Sequence, residues 1–266
     1  MLKENGEFDL NTKFEYDSEL IDMFYQDLVD NQKAIYDYAI ANGLEDAYNQ
    51  NMNILKEPAS KYDPYAEQTD EMELYKYFNA YNLMYEYTPA RNLWGEEKPF
   101  DFKDEFERIS KVFGINRAIA NKMVTTPYFV PIAPENITAA ITVLSSKVDF
   151  EWKNDNVLIL ASKITAYLTA IQPLMDGNHR TSHAMIHYYL GKAGLPSILR
   201  KKHLEEHCLS FSIFEKRAIL DDELTDLAIY FYYNILERQC ELCKSLGVDH
   251  NNLIKCFVPC IEDRKI

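Results

Sequence analysis

Apolar residues along this chain recur mostly at helical spacing. Within residues 18–43, Leu20, Met23, Phe24, Leu28 and Ile35 fall near one face of a 3.6-residue helix, and Gly43 can end the run. The pattern predicts helix over much of 18–50, a loop at 56–70 around Pro58, Ser60 and Pro64, and a Tyr-rich amphipathic helix over 71–87. Tyr at such density reads first as half-buried packing with a wet hydroxyl rather than as a binding stripe. Pro89, Gly95 and Pro99 break the pattern, which divides an N-terminal helical region, 1–95, from the remainder, 96–266. Further helices are expected at 106–123, 135–147, 157–171, 178–191, 210–220 and 224–246. Between the first two, "TTPYFVPIAPENI" carries three prolines around β-prone Tyr128, Phe129 and Val130. Prolines exclude helix there and leave either a plain loop or a short hairpin with an open edge that an extended peptide could join.

Composition narrows the class. With 47% hydrophobic and 26% charged residues and only 8 glycines in 266, the chain reads as a soluble, largely helical globular protein. Its start, "MLKENGEFDLNTKF", is polar and acidic, unlike a secretory signal. The longest apolar stretch, 157–171, is interrupted by Lys163 and falls short of the roughly 18 residues a membrane span needs. The expected location is the cytoplasm, or a host cell reached without a cleaved signal, with no membrane partner. The net charge of −14 is uneven: residues 1–100 hold 21 acidic against 8 basic residues, and 101–266 hold 21 against 20. That balance argues against a nucleic-acid partner, which would require basic groups to displace counterions. It leaves a solvated acidic face or a surface for a basic partner. Five cysteines without an export signal fit a reducing compartment. Cys240, Cys243, Cys256 and Cys260, with His250 between them, could bind zinc, although the helical pattern around the first pair equally suits incidental thiols.

The stretch "IQPLMDGNHRTSH", residues 171–183, holds the candidate chemistry. It joins two apolar helical runs, and a helix start offers unpaired N–H groups and a positive dipole end to phosphate. Gly177 lets the backbone turn and approach a ligand, and Asn178 suits the N-cap. Asp176 beside a phosphate site suits Mg²⁺, and Arg180 in the first turn could clamp a phosphate. The plain alternative is a Gly-containing turn between helices.

"QPLMDGNHRTSH" resembles the signature of the Fic (Fic/Doc, Fido) family, H-P-F-x-[D/E]-G-N-G-R-x-x-R. Pro173, Asp176, Gly177, Asn178 and Arg180 match it, and Leu174 replaces Phe. The resemblance extends over about 100–235, with "YFVPIAPENI" similar to the family's flap and "AMIHYYLGKAGLPSI" to the helix after the motif. It implies an all-α Fic fold, a helical bundle around the motif loop and helix with a short β-hairpin flap. It also implies AMP transfer from ATP to a hydroxyl of a target protein that docks on the flap, 126–134. In that scheme the motif His is the base, Asp176 holds Mg²⁺, and Gly177, Asn178 and Arg180 hold nucleotide phosphates.

Three departures fall on the chemistry. Gln172 stands where the His belongs, and an amide has no useful basicity near neutral pH. His183 stands for the last Arg; it is shorter, lacks the bidentate fork, and an imidazole carries little charge at pH 7. His179 puts bulk where a Gly belongs. The family's inhibitory [S/T]-x-x-x-E-[G/N] pattern finds no match, since Glu4-Asn5 and Glu135-Asn136 lack the preceding Ser or Thr. His179, His183 and His187 span about 12 Å along a helix, so one metal could take a pair of them but not all three. His203 with His207 is another possible pair. Two functions therefore stay open: a degenerate Fic protein that keeps nucleotide or phosphate binding without ordinary AMP transfer, or a transferase of AMP or another phosphate-containing group with His179 or His183 as a displaced base.

Overall fold

A computed structural model describes residues 9–52, 100–197, 203–204 and 209–254, apart from 125, 127 and 128. The fold is all-α. The predicted loop at 56–70, the Tyr-rich helix at 71–87 and the 95/96 boundary lie outside the described residues. Among those residues, α1 spans Ser18–Ala41, α2 Glu45–Met52, α3 Phe102–Phe113, α4 Arg117–Ala120 and α5 Ile137–Ser146. The series continues with α6 at Val157–Ile171, α7 at Asn178–Lys192, α8 at Phe211–Leu220 and α9 at Thr225–Ser245. None of these helices is long and apolar enough to cross a membrane.

Helix α6 is the centre of the bundle, and every one of its residues is buried. It packs against α7, α9, α8, α5 and α1. A helix surrounded on all sides must satisfy its polar side chains internally. Here Ser162 Oγ donates to Leu158 O (2.8 Å), Lys163 pairs with Asp155 (2.7 Å), Thr165 meets Ser182 (3.2 Å) and Thr169 donates to Glu215 (2.6 Å). Asn156 caps the helix through the amides of Leu158 and Ile159.

Helix α1 lies along α9 in the same core. Phe24 stacks on Tyr232 at 4.4 Å, whose hydroxyl donates to Asp27 (2.6 Å), and Gln239 bonds Leu28 O (2.8 Å) and Gln32 (3.0 Å). The segment before α1 is stitched to the junction of α8 and α9. Glu15 N donates to Asp222 O, Leu224 N to Glu15 O, and Asp17 N to Thr225 Oγ1, while Tyr167 Oη donates to Leu10 O.

The structure departs from the sequence reading in two places. The single helix expected at 106–123 begins at Phe102 and stops at Phe113, followed by the short α4. The break lets Gly114 lie against the motif loop, where an added Cβ would stand 3.3 Å from Asp176 O, and lets Asn116 bridge to Leu174. The helix expected at 135–147 opens with a tight turn at Pro134–Asn136, and a five-residue π-helical segment, Lys147–Glu151, follows α5. In the expected flap, the described residues form no strand: Thr126 Oγ1 donates to Phe129 O and accepts from Phe129 N. Pro127 and Tyr128 lie outside the described residues. The strand pair among those residues joins His203–Leu204 to Leu209–Ser210.

Candidate functional site

The loop between α6 and α7 is held from behind. Gln172 ends α6 in the left-handed region (φ 46°), which a side chain with a Cβ enters at a cost of roughly 1–2 kcal/mol. The fully buried Arg117 holds it there. Its Nη1 donates to Gln172 O (2.6 Å) and Ile171 O (3.1 Å), its Nη2 to Ile132 O (2.8 Å) and its Nε to Lys122 O (3.1 Å). Burial lowers the pKa of this guanidinium from its ordinary value, yet arginine remains charged and all its donors named here meet carbonyl oxygens. Backbone bonds from Arg117 N to Pro173 O (2.9 Å) and from Met175 N to Ile115 O (3.1 Å) complete the attachment. One side chain thereby ties the base of the expected flap to the start of the motif.

The turn itself closes on Asn178. Its Oδ1 accepts from Leu174 N (2.8 Å), and its Nδ2 donates to Leu174 O (2.9 Å) and Gln172 Oε1 (2.8 Å). The N-cap expected at Asn178 is instead Gly177 (φ 81°), and Asn178 is the first residue of α7. Glycine is required at 177 twice over. Its φ is positive, and a Cβ would stand 2.7 Å from Phe113 Cβ. Asp176 caps from the loop side, with Oδ1 accepting from Gly177 N (2.6 Å).

Around this turn the sequence-selected side chains divide into a rim and an interior. Asp176, with its side chain 81% exposed, pairs with Arg180 at 3.1 Å, and Arg180 lies 5.5 Å over the Phe113 ring. His179 Nε2 stands 2.7 Å from Glu215 Oε1, the same oxygen that accepts from Thr169 Oγ1. His183 is fully buried, 6.0 Å from the Phe231 ring. His187 lies one turn further in, and burial lowers its pKa to about 4. The loop thus brings Gln172, Asp176, Gly177, Asn178, His179 and Arg180 together and places His183 inside the packing.

The matching of this loop, its supporting helix and the helix beyond it to a known family decides the assignment: residues 101–190 fit the sequence model of the Fic/DOC family. This part of the chain is a Fic/DOC family domain. A Fic-domain-containing signaling protein from Bacteroides thetaiotaomicron VPI-5482 has a similar fold, with a TM-score of 0.51 over 87% of this chain and 97% of that one at 14% identity. No curated protein matches the sequence.

Sequence reasoning passed over the residues that hold the motif rather than form it. Arg117 and Glu215 sit in amphipathic helical stretches with no local signal, since each acts on a segment more than forty residues away. Gly114, in "FGINR", was the one available hint of a break. An exposed single carboxylate next to a helix start fits Mg²⁺, which keeps several waters and takes one or two carboxylates besides phosphate oxygens. For transition metals, no three His, Cys, Asp or Glu converge among the described residues. Cys240 and Cys243 lie on α9, and burial raises the Cys243 thiol to about 11. Cys256, Cys260, His207 and the His203 side chain lie outside the described residues.

Proposed function

We propose that this Fic domain binds the phosphates of a nucleotide such as ATP at the start of α7 and has lost ordinary AMP transfer. The observation that carries the reading is the inward bond of the Gln172 amide to Asn178: the position that should take a proton from the acceptor hydroxyl holds a group with no basicity, engaged in closing the turn. Loss of a positioned base typically costs about 10²- to 10⁴-fold in rate. The first N–H groups of α7 have no acceptor within the helix by construction, which supports an anion-binding role for this half of the motif. Arg180, in the first turn, would hold a phosphate, and Asp176 would hold Mg²⁺, which neutralises phosphate charge when bound. A protein partner docks along 126–134 in this reading, supported by exposed Val130 there and by exposed Ile115 and Met175 beside the loop. A reducing, cytoplasmic setting is consistent with the buried thiol of Cys243 on α9, which is in no disulfide.

Thermal denaturation with and without ATP and Mg²⁺ tests the binding directly. ATP should raise Tm, Arg180→Ala should weaken binding by roughly 1–3 kcal/mol, and Asp176→Ala should remove any Mg²⁺ dependence. If saturating ATP leaves Tm unchanged, the loop is a structural turn and the reading fails.

The 2.7 Å approach of His179 to Glu215 favours a second reading, in which a carboxylate-oriented His179 supplies the missing base for transfer of AMP or another phosphate-containing group. Transfer of labelled AMP by the unmodified protein, lost in His179→Ala, would establish that reading and remove the first.

A further inference from the structure

Helix α7 has a second functional candidate at its other end. A cavity of about 270 Å³ opens beside its C-terminal turn, between α1, the start of α6 and the π-helical segment 147–151. The volume lies just below the usual range of roughly 300–1,000 Å³ for ligand pockets, which suits a small metabolite. The rings of Tyr25, Phe100, Tyr188 and Tyr189 line it. Phe100 stacks on Tyr188 at 3.7 Å and meets Tyr189 edge-on at 5.7 Å, so these walls are fixed. π-Helical turns occur frequently at functional sites. This one presents Val148 and Asp149 to the cavity, while Lys147 and Glu151 on either side pair with each other at 3.0 Å.

The electrostatics of the cavity are those of a cation site. The Asp149 carboxylate receives a bond from the neutral Ser145 hydroxyl (3.2 Å) and pairs with no Lys or Arg among the described residues. Burial pushes its pKa up against the Ser145 bond, and nearby Asp101 pushes it further. The buried Tyr189 hydroxyl has no hydrogen-bond partner among the described residues, and its pKa is raised by burial, by Asp149, by Tyr188 and by Asp101. The second acid in the wall, Asp155, is already neutralised by Lys163. The negative end of the α7 dipole points the same way, toward a positive charge. At the rim stand two exposed lysines, Lys153 and Lys192, which match an anionic group.

From this arrangement we infer that the cavity binds a small amphoteric amine of the free amino acid class, with its ammonium on Asp149 against the aromatic walls and its carboxylate toward Lys153 and Lys192. Ring faces attract ammonium groups, and a partly desolvated carboxylate adds a charge-assisted bond. No three metal-ligating side chains meet in the described residues, which favours an organic cation over a divalent ion. The site is distinct from the motif loop, which lies at the opposite end of α7.

Calorimetric titration of the full chain with L-phenylalanine, phenethylamine and 3-phenylpropanoate separates the contributions. Phenylalanine should bind most tightly, phenethylamine more weakly for want of the carboxylate, and 3-phenylpropanoate not at all. Asp149→Asn keeps the shape and the Ser145 contact and should weaken phenylalanine at least tenfold. Lys153→Ala with Lys192→Ala, both exposed, should weaken phenylalanine and leave phenethylamine unchanged. Arg180→Ala should leave all three affinities as they were, which separates failure here from failure at the motif. Absence of binding by phenylalanine at millimolar concentration, or equal affinity in Asp149→Asn, overturns the assignment. Equal binding of phenylalanine and phenethylamine overturns its amphoteric part.

Discussion

The two halves of the motif loop have been treated differently. Residues that shape the backbone, Pro173, Gly177 and Asn178, keep the Fic pattern; Pro173 and Gly177 are locked by contacts from elsewhere in the bundle and Asn178 by bonds across the turn itself. Positions 172, 179 and 183 depart from the signature that the sequence resembles, and each residue there has a structural partner: Asn178 for Gln172, Glu215 for His179, the α9 aromatic layer for His183. Shape and chemistry in this motif are therefore separable. The turn is over-determined by packing, whereas in the proposed reading the missing base is a single group whose loss leaves the fold intact.

The largest effects should come from the shaping half. Gly177→Ala forces a left-handed alanine into Phe113 and should cost about 2–4 kcal/mol, measured by chemical denaturation. A loss below about 1 kcal/mol would mean that the turn can relax and is not locked. Arg117→Met removes donors from four carbonyls while filling the space and should cost about 2–3 kcal/mol. It should also weaken ATP binding more than Arg117→Lys does.

The interior of α7 gives a pH signature instead. The folded-state pKa of His187 is lowered to about 4, below the ordinary 6.5, so its contribution is intact above pH 6.5 and is lost as pH falls from there toward 4. The loss should reach roughly 2–3 kcal/mol at pH 4, and His187→Leu should remove that part of the slope. A variant with an unchanged acid slope would place the sensitivity elsewhere. The smallest stability effect belongs to the chemical half. Asp176→Ala breaks an ion pair whose carboxylate is solvent-exposed and should change stability by no more than about 0.5 kcal/mol, while altering any Mg²⁺ dependence completely.

Much of this was legible in the sequence because the helices are amphipathic and well punctuated. The boundaries of α6 and α7 follow from Asn156, Pro173, Gly177 and Gly194, residues whose local chemistry ends or starts a helix regardless of context. The break after Phe113 was missed because the apolar spacing of 106–123 continues across it, and only the approach of Gly114 to Asp176 explains the interruption. The π-helical segment at 147–151 leaves no periodic mark in so short a run. In the site, the loop residues could be named from their pattern, but Arg117 and Glu215 act across 55 and 46 residues of chain, a relation that spacing along one helix cannot reveal.

The stitching of the first segment to the last helices has a consequence for synthesis. Asp17 and Thr225 are 208 residues apart, and Leu28 and Gln239 are 211 apart. Helix α1 emerges from the ribosome well before the aromatic and glutamine partners on α9 that cover it. A nascent chain stalled before residue 225 would expose Phe24 and Leu28 without their α9 neighbours, and would offer that apolar face to chaperones or to proteases. Limited proteolysis of ribosome-bound chains should therefore find α1 cleavable until α9 has emerged, and protected afterward.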